Sequence, residues 1–107
     1  HKIVFEMVNV LSRPHRSSSI KKVLCFETLS STEWGYNFNE SFHPNLFIEL
    51  SKKKIDTKVL AFKEYSSEIF QPPHPRSKQG IINLAKYRGQ SMSKEFAESF
   101  YILKEYS

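Results

Sequence analysis

Two short segments carry side chains suited to binding or chemistry, and the first is residues 29–34, with the sequence LSSTEW. Hydroxyl groups, a carboxylate and the flat indole of Trp34 follow one another there. A pyranose ring has apolar faces and a rim of hydroxyl groups, so an indole beside polar side chains suits a sugar. From composition alone, a turn whose tryptophan packs into the core is the more common structure.

The second segment is residues 72–77, with the sequence PPHPRS. Its prolines restrict the backbone and thereby fix the directions of His74 and Arg76. A pre-oriented histidine and arginine can hold an anion or a polar substrate. Before any comparison with a family, a rigid connector with solvated side chains is the simpler interpretation.

The remaining candidates are single residues. His1 stands at the start of a predicted helix, where the helix dipole favours the neutral imidazole that ligates metals. In isolation, a frayed terminus or a tag remnant explains His1 more simply. Arg88 would interact with the end of its own helix or enter a site, and Cys25 is interpreted as a core residue. The four histidines have no metal-ligand spacing, and no phosphate-binding loop or nucleophile elbow is present.

Hydrophobic spacing predicts the elements that would position these residues. A helix is predicted over residues 1–13, where apolar side chains recur every three to four positions before Pro14. The apolar run within residues 21–28 predicts a strand buried on both faces, as in a parallel sheet. Further strands are predicted over residues 45–50 and 97–103, and for the second of these a helix is a close competitor.

Two more helices are predicted between the second and third strands, preceded by the capping residues Ser51 and Ser77. The later helix is predicted to end at Gly89, in the position typical of a C-terminal glycine. Residues 29–44 are predicted to form a long ordered loop, because turn-forming residues there alternate with aromatic ones. The alternation of strands and helices indicates an α/β sandwich with a strand missing before His1.

Composition limits the class of protein. A chain of 107 residues makes one small domain or part of a larger one. Nine Phe, five Tyr and one Trp argue against a disordered tail, and a single cysteine excludes an internal disulfide. The net charge of +5 permits an anionic partner. No RNA-recognition or recognition-helix pattern is present and no apolar run approaches the roughly 20 residues of a membrane span, so neither a nucleic-acid partner nor a membrane span is expected.

In order along the chain, these segments resemble the C-terminal half of the LmbE/PIG-L family of zinc-dependent de-N-acetylases. The resemblance is to a bacterial subgroup whose strand leads into E-x-x-SSTEW, here residues 27–34. It continues with F-x-P-N-x-F at residues 42–47, PHPRS at 73–77, LA-x-x-RG at 84–89 and AE-x-F at 97–100. The motifs cover nearly the whole chain, and their order and spacing are more specific than any one of them.

The resemblance implies a Rossmann-like three-layer α/β sandwich, of which residues 1–107 would be a single partial domain, the C-terminal portion. It also implies Zn²⁺, with His1 as one ligand. Two further ligands and an aspartate general base are expected upstream of residue 1, in the N-terminal half of the same domain. Catalytic zinc needs about three protein ligands and a water, so this segment alone is expected to be inactive.

The implied substrate is a small N-acetylated amino sugar of the N-acetylglucosamine type. His74 would stabilise the oxyanion as a catalytic residue, while Trp34, Arg76 and Arg88 would contact the substrate or build the pocket wall. Arg76 would suit a phosphate on the group joined to the sugar. A cytoplasmic location and a homo-oligomer are expected.

Two other classes of function are compatible with the residues. A non-catalytic sugar-binding or interaction domain would keep the Trp34 loop and PPHPRS without a metal site. A basic nucleic-acid-binding domain would show an affinity that falls steeply with salt. The absence of the family's His-Pro-Asp-Asp loop from these residues favours the sugar-binding domain. The position of His1, which resembles that of the histidine in the family's Asp-His motif, disfavours it.

Overall fold

The computed structural model describes residues 2–15, 19–29, 31 and 41–107. Within these ranges it has three helices and three strands: α1 (Lys2–Leu11), β1 (Lys22–Phe26), β2 (Leu46–Glu49), α2 (Lys52–Lys63), α3 (Lys78–Gln90) and β3 (Ala97–Glu105). The strands form one antiparallel sheet in the order β1–β3–β2. The mixed α/β class expected from the sequence is therefore confirmed, and so is a strand over the last predicted segment.

The expectation of a parallel, doubly buried first strand is wrong. Side chains of β1 alternate between exposed and half-buried, and the sheet is antiparallel. An antiparallel sheet can present one face to solvent, so a continuous apolar run does not by itself require cover on both faces. In β2 and β3, Leu46 lies opposite Phe100 and Glu49 lies opposite Ala97.

The chain divides into two compact units, and the first contains residues 1–25 and 102–107. Within it, Lys104 Nζ donates to the backbone oxygen of Asn9 at 3.1 Å, near the C-terminal end of α1. A cation in this position is favoured by the helix dipole. Helix α1 is apolar on nearly every side, a pattern typical of a helix covered by surrounding protein. Its exposed apolar residues are Ile3, Val4, Phe5, Met7, Val8, Val10 and Leu11.

The second unit, residues 26–101, holds the buried core of Ile55, Ala85 and Phe96. The predicted caps are confirmed: the hydroxyl oxygen of Ser51 accepts from Lys54 N, and that of Ser77 accepts from Gly80 N. Each cap satisfies a backbone donor that the first turn of a helix leaves unpaired. These caps set where α2 and α3 begin, and α3 begins directly after the loop that carries His74.

The predicted end of α3 at Gly89 is wrong, because the helix continues through Gln90 and Gly89 has an ordinary negative φ. The residue with positive φ is Ser93, at 56°. Gly89 is needed for space instead. A Cβ there would lie 2.6 Å from the backbone oxygen of Lys94, so only a glycine lets the chain return so closely toward β3.

None of the helices in the described ranges combines the length and the apolarity that crossing a membrane requires.

We expect Ile55→Ala to lower the free energy of unfolding by about 2–5 kcal/mol, because it leaves a cavity in the core of the second unit. Leu60→Ala is the matched control, since Leu60 lies on the same helix with 64 % of its surface exposed. Its effect should stay within about 0.5 kcal/mol. Urea unfolding followed by circular dichroism measures both, and equal effects would contradict the assigned core.

Candidate functional site

One cavity formed by described residues of the second unit has a volume of about 720 Å³. Its walls combine apolar side chains of α2 and α3 with residues that follow β1 and residues of β3. We call it the charged cavity. Its charged lining residues are Glu27, Lys58, Glu68, Arg76, Arg88 and Glu98.

All six of these charges are joined in three ion pairs. Arg88 lies 2.8 Å from the Glu27 carboxylate, and Lys58 lies 3.1 Å from Glu98. Arg76 lies 2.7 Å from Glu68. The described lining therefore has no net charge, and each cation already has an acidic partner.

The Glu27–Arg88 pair is the most deeply placed of the three. Arg88 Nε donates to Glu27 Oε1 at 2.9 Å and Arg88 Nη2 donates to Oε2 at 2.8 Å, a bidentate arrangement. Ser99 Oγ adds a third hydrogen bond to Oε1 at 3.2 Å. The Arg88 side chain is only 13 % exposed and the Glu27 side chain only 8 %. The hydrogen bonds to Glu27 raise the pKa of Arg88 above its ordinary value, so Arg88 stays charged.

The PPHPRS loop is fixed by its own backbone. Phe70 N donates to the backbone oxygen of Arg76 at 2.7 Å and closes the loop at its base. Arg76 N donates to Nδ1 of His74 at 3.0 Å. The His74 ring lies 4.3 Å from the Phe70 ring, centroid to centroid. Because Nδ1 accepts a hydrogen bond, the neutral imidazole carries its hydrogen on Nε2.

Arg76 joins the two segments that the sequence analysis treats separately. Its Nε donates to the backbone oxygen of Leu29 at 3.0 Å, so the start of the LSSTEW segment is tied to the PPHPRS loop. Gly80 allows α3 to lie against the same loop, because a Cβ there would collide with the backbone oxygen of Pro75. These close approaches place the histidine loop, α3 and the end of β1 around one region of the second unit.

A second cavity, of about 470 Å³, lies along α3 and contains His74. We call it the α3 groove. It is lined on one side by Pro72–Pro75 and on the other by Gln79, Asn83 and Tyr87. Leu29 and Leu84 line both the α3 groove and the charged cavity.

The structure brings three of the five predicted site residues into this region. His74 lines the α3 groove, and Arg76 and Arg88 line the charged cavity. His1 and Trp34 lie outside the described residues. Both arginines are engaged by carboxylates of the same unit, so the geometry fits the predicted wall of a pocket more directly than contact with an anionic substrate.

Sequence reasoning assigned no role to the residues that neutralise the arginines. Glu27 directly follows the apolar run of β1, and a carboxylate at that boundary was a usable signal. Ser99 is buried in β3, and Glu68 lies four residues before the PPHPRS segment, outside the motif. Only the folded chain shows that Glu27 and Glu68 meet the arginines and that Ser99 bonds to Glu27.

Among the described residues, no group of three or more histidine, cysteine, aspartate or glutamate side chains is placed to hold a metal ion. The described part of the chain therefore does not form a zinc site by itself. Cys25 is half-buried in β1, and burial raises the pKa of its thiol. A thiol with a raised pKa is a poor nucleophile and a poor metal ligand at neutral pH.

No family model, no curated protein and no solved structure matches this chain. The resemblance to the LmbE/PIG-L family therefore stays a prediction carried by the motifs.

We expect Glu27→Gln to lower the free energy of unfolding by about 3 kcal/mol, because it leaves the Arg88 guanidinium nearly buried without a counter-charge. Glu105→Gln is the matched control. It removes the exposed pair between Lys22 and Glu105, and should change the stability by less than about 1 kcal/mol. Chemical unfolding of both variants tests this, and an unaffected Glu27→Gln protein would contradict the structural role of the pair.

Cys25 should react with iodoacetamide at pH 8 several times more slowly in the folded chain than in urea. Burial raises its pKa when folded, and the thiolate is the reacting form. The folded rate should rise as the pH increases through the raised pKa. Mass spectrometry follows the single adduct, and equal folded and unfolded rates would show that β1 does not shield the thiol.

Proposed function

We propose that this chain is the C-terminal portion of a zinc-dependent hydrolase of the LmbE/PIG-L type, acting on an N-acetylated amino sugar. The reaction would be hydrolysis of the amide, in which water adds to the acetyl carbonyl and the carbon–nitrogen bond breaks to give acetate and a free amine. The proposal includes a Rossmann-like three-layer sandwich, a cytoplasmic location and a homo-oligomer. It is supported by the order of the motifs and by the arrangement of the PPHPRS loop.

The single observation that carries the proposal is the hydrogen bond from Arg76 N to Nδ1 of His74. It selects the neutral tautomer in which Nε2 is the donor. A donor held in a fixed direction can stabilise the negative charge that develops on the amide oxygen when water adds. The proline-rich loop and the neighbouring Phe70 ring restrict the imidazole, so little reorganisation would be needed during the reaction.

Zinc, when bound, would polarise the amide carbonyl and lower the pKa of its water. In the proposal His1 would be one ligand, with the other two and the general base in the N-terminal half of the domain. The described residues supply no such set by themselves, so the role derived for them is limited to binding, orientation and stabilisation of charge.

The two arginines would affect substrate binding indirectly, by fixing the shape of the site. Arg76 holds the backbone of Leu29, the residue that leads into the segment containing Trp34. Arg88 is fixed by Glu27 and lies with its guanidinium carbon 5.0 Å from the centre of the Tyr87 ring. In this proposal Trp34 would contact the sugar, while the two arginines build the pocket wall.

A non-catalytic sugar-binding or interaction domain is the second candidate. It is favoured by the α3 groove, which residues of the second unit form by themselves. It would use the same loop and the same cavities without cleaving the amide. The two proposals differ in whether acetate is released from the ligand.

The proposed function is tested by measuring acetate released from a panel of N-acetylated amino sugars by the full-length, zinc-loaded protein. His74→Asn should lower kcat by about 10²–10³-fold, because asparagine can still accept the Arg76 hydrogen bond through Oδ1 but loses the Nε2 donor. The stability of the variant should be close to that of the parent, since the loop bond is retained.

His15→Ala is the control, because His15 is exposed and lines neither cavity. It should keep full activity. Release of no acetate from any member of the panel would contradict the enzyme and favour the binding domain. Full activity of His74→Asn would remove His74 from the mechanism.

A further inference from the structure

The α3 groove has the size and lining of a small-ligand site. Its volume of about 470 Å³ lies within the range of about 300–1,000 Å³ typical of such cavities. One wall is the rigid proline loop and the other is an exposed face of a regular helix. Both walls are fixed before any ligand binds, which favours recognition of a defined shape.

Three side chains of α3 form a continuous stripe along the groove: Gln79, Asn83 and Tyr87. They are spaced four residues apart, so they lie above one another on one face of the helix. The stripe is about 12 Å long at 1.5 Å per residue. Two amides and a phenol ring in one row are typical of a surface that binds hydroxyl groups by hydrogen bonds.

The two amides are already oriented toward each other. Gln79 Nε2 donates to Asn83 Oδ1 at 2.8 Å. That bond uses one N–H donor of one amide and the carbonyl oxygen of the other. Whichever way the nitrogen and oxygen atoms of the two amides are assigned, one NH₂ group and one carbonyl oxygen can still bond to a ligand. A neighbouring donor and acceptor match adjacent hydroxyl groups on a sugar ring, each of which can both donate and accept.

Tyr87 supplies the apolar surface. Tyr87 is 60 % exposed, although the guanidinium carbon of Arg88 lies 5.0 Å from its ring centre. Arg88 is itself fixed by the two hydrogen bonds to Glu27. The ring is therefore supported by a rigid neighbour while most of its surface stays open to a ligand, as a stacking platform requires.

The charge of the lining decides the class of ligand. Apart from His74, the described lining of the α3 groove contains only side chains that carry no charge. In the neighbouring charged cavity, Arg76 and Arg88 are paired with Glu68 and Glu27. The protein has a net charge of +5, yet the described lining of these two cavities contains no arginine without a carboxylate partner for a phosphate group to replace.

We propose that the α3 groove binds a neutral sugar ring joined to the amino sugar, with the ring on Tyr87 and its hydroxyl groups on Gln79 and Asn83. The inference rests on the proposed function for the identity of the amino sugar. It narrows the substrate to a neutral glycoside and disfavours a phosphorylated one, because a phosphate would lose its hydration without gaining a counter-charge.

The test is isothermal titration calorimetry on the metal-free full-length protein, which cannot turn over the ligand in the proposed mechanism. The probes are N,N′-diacetylchitobiose, N-acetylglucosamine and N-acetylglucosamine 1-phosphate. The disaccharide should bind about tenfold more tightly than the monosaccharide, because the second ring stacks on Tyr87. The phosphate should bind no more tightly than the monosaccharide.

Tyr87→Ala should abolish the preference for the disaccharide, and so should the double variant Gln79→Ala, Asn83→Ala, which leaves the ring and Arg88 in place. Tyr101→Ala is the matched control, because this tyrosine is also exposed but lines neither cavity. If Tyr87→Ala does not fold, the double variant decides.

Equal binding of the two neutral probes, tighter binding of the phosphate, or an unchanged preference in the double variant would overturn the proposal. The outcome is separate from that of the proposed function. If acetate is released but binding does not depend on the stripe, the sugar site in the groove is contradicted and the proposed enzyme is supported. If the preference for the disaccharide depends on the stripe but no acetate is released, the sugar site is supported and the proposed enzyme is contradicted.

Discussion

The ion pair between Glu27 and Arg88 is the constraint on which the arrangement of the second unit depends. A nearly buried guanidinium is stable only when a carboxylate and further hydrogen bonds replace the water it has lost. Glu27 meets this requirement with both carboxylate oxygens, and Ser99 adds a bond from β3. The end of β1, α3 and β3 are thereby held at fixed distances, and Arg88 in turn supports the Tyr87 ring.

The two cavities differ in their chemistry, because the charged side chains of one are paired within the protein and the described lining of the other has almost none. The charged cavity contains three internal ion pairs, whereas the described lining of the α3 groove is almost free of charged groups. The shared residues Leu29 and Leu84 connect them. Arginine side chains that look like anion receptors in the sequence are therefore already paired with carboxylates, and the described lining of the groove beside them carries no charged side chain apart from His74.

Local patterns in the chain predicted the elements well where local energetics dominates. The capping serines Ser51 and Ser77 mark the true starts of α2 and α3, because a cap depends on contacts within one helical turn. The side chains of Ile81, Leu84, Ala85 and Arg88 recur at helical spacing in α3, and all four line the charged cavity. The direction of the strands and the role of Gly89 were predicted wrongly, because both depend on which distant segment lies alongside.

The sequence by itself determined the class of fold, the helix starts and the loop that fixes His74, since prolines, caps and hydrophobic spacing act over a few residues. It also determined which side chains could do chemistry. Only the tertiary structure decided what those side chains do. Glu27 and Arg88 are separated by sixty-one residues, and Arg76 and Leu29 by forty-seven, so nothing local encodes their pairing. Whether an arginine is a receptor for an anion or a support for its neighbours depends on the carboxylate that folding brings to it.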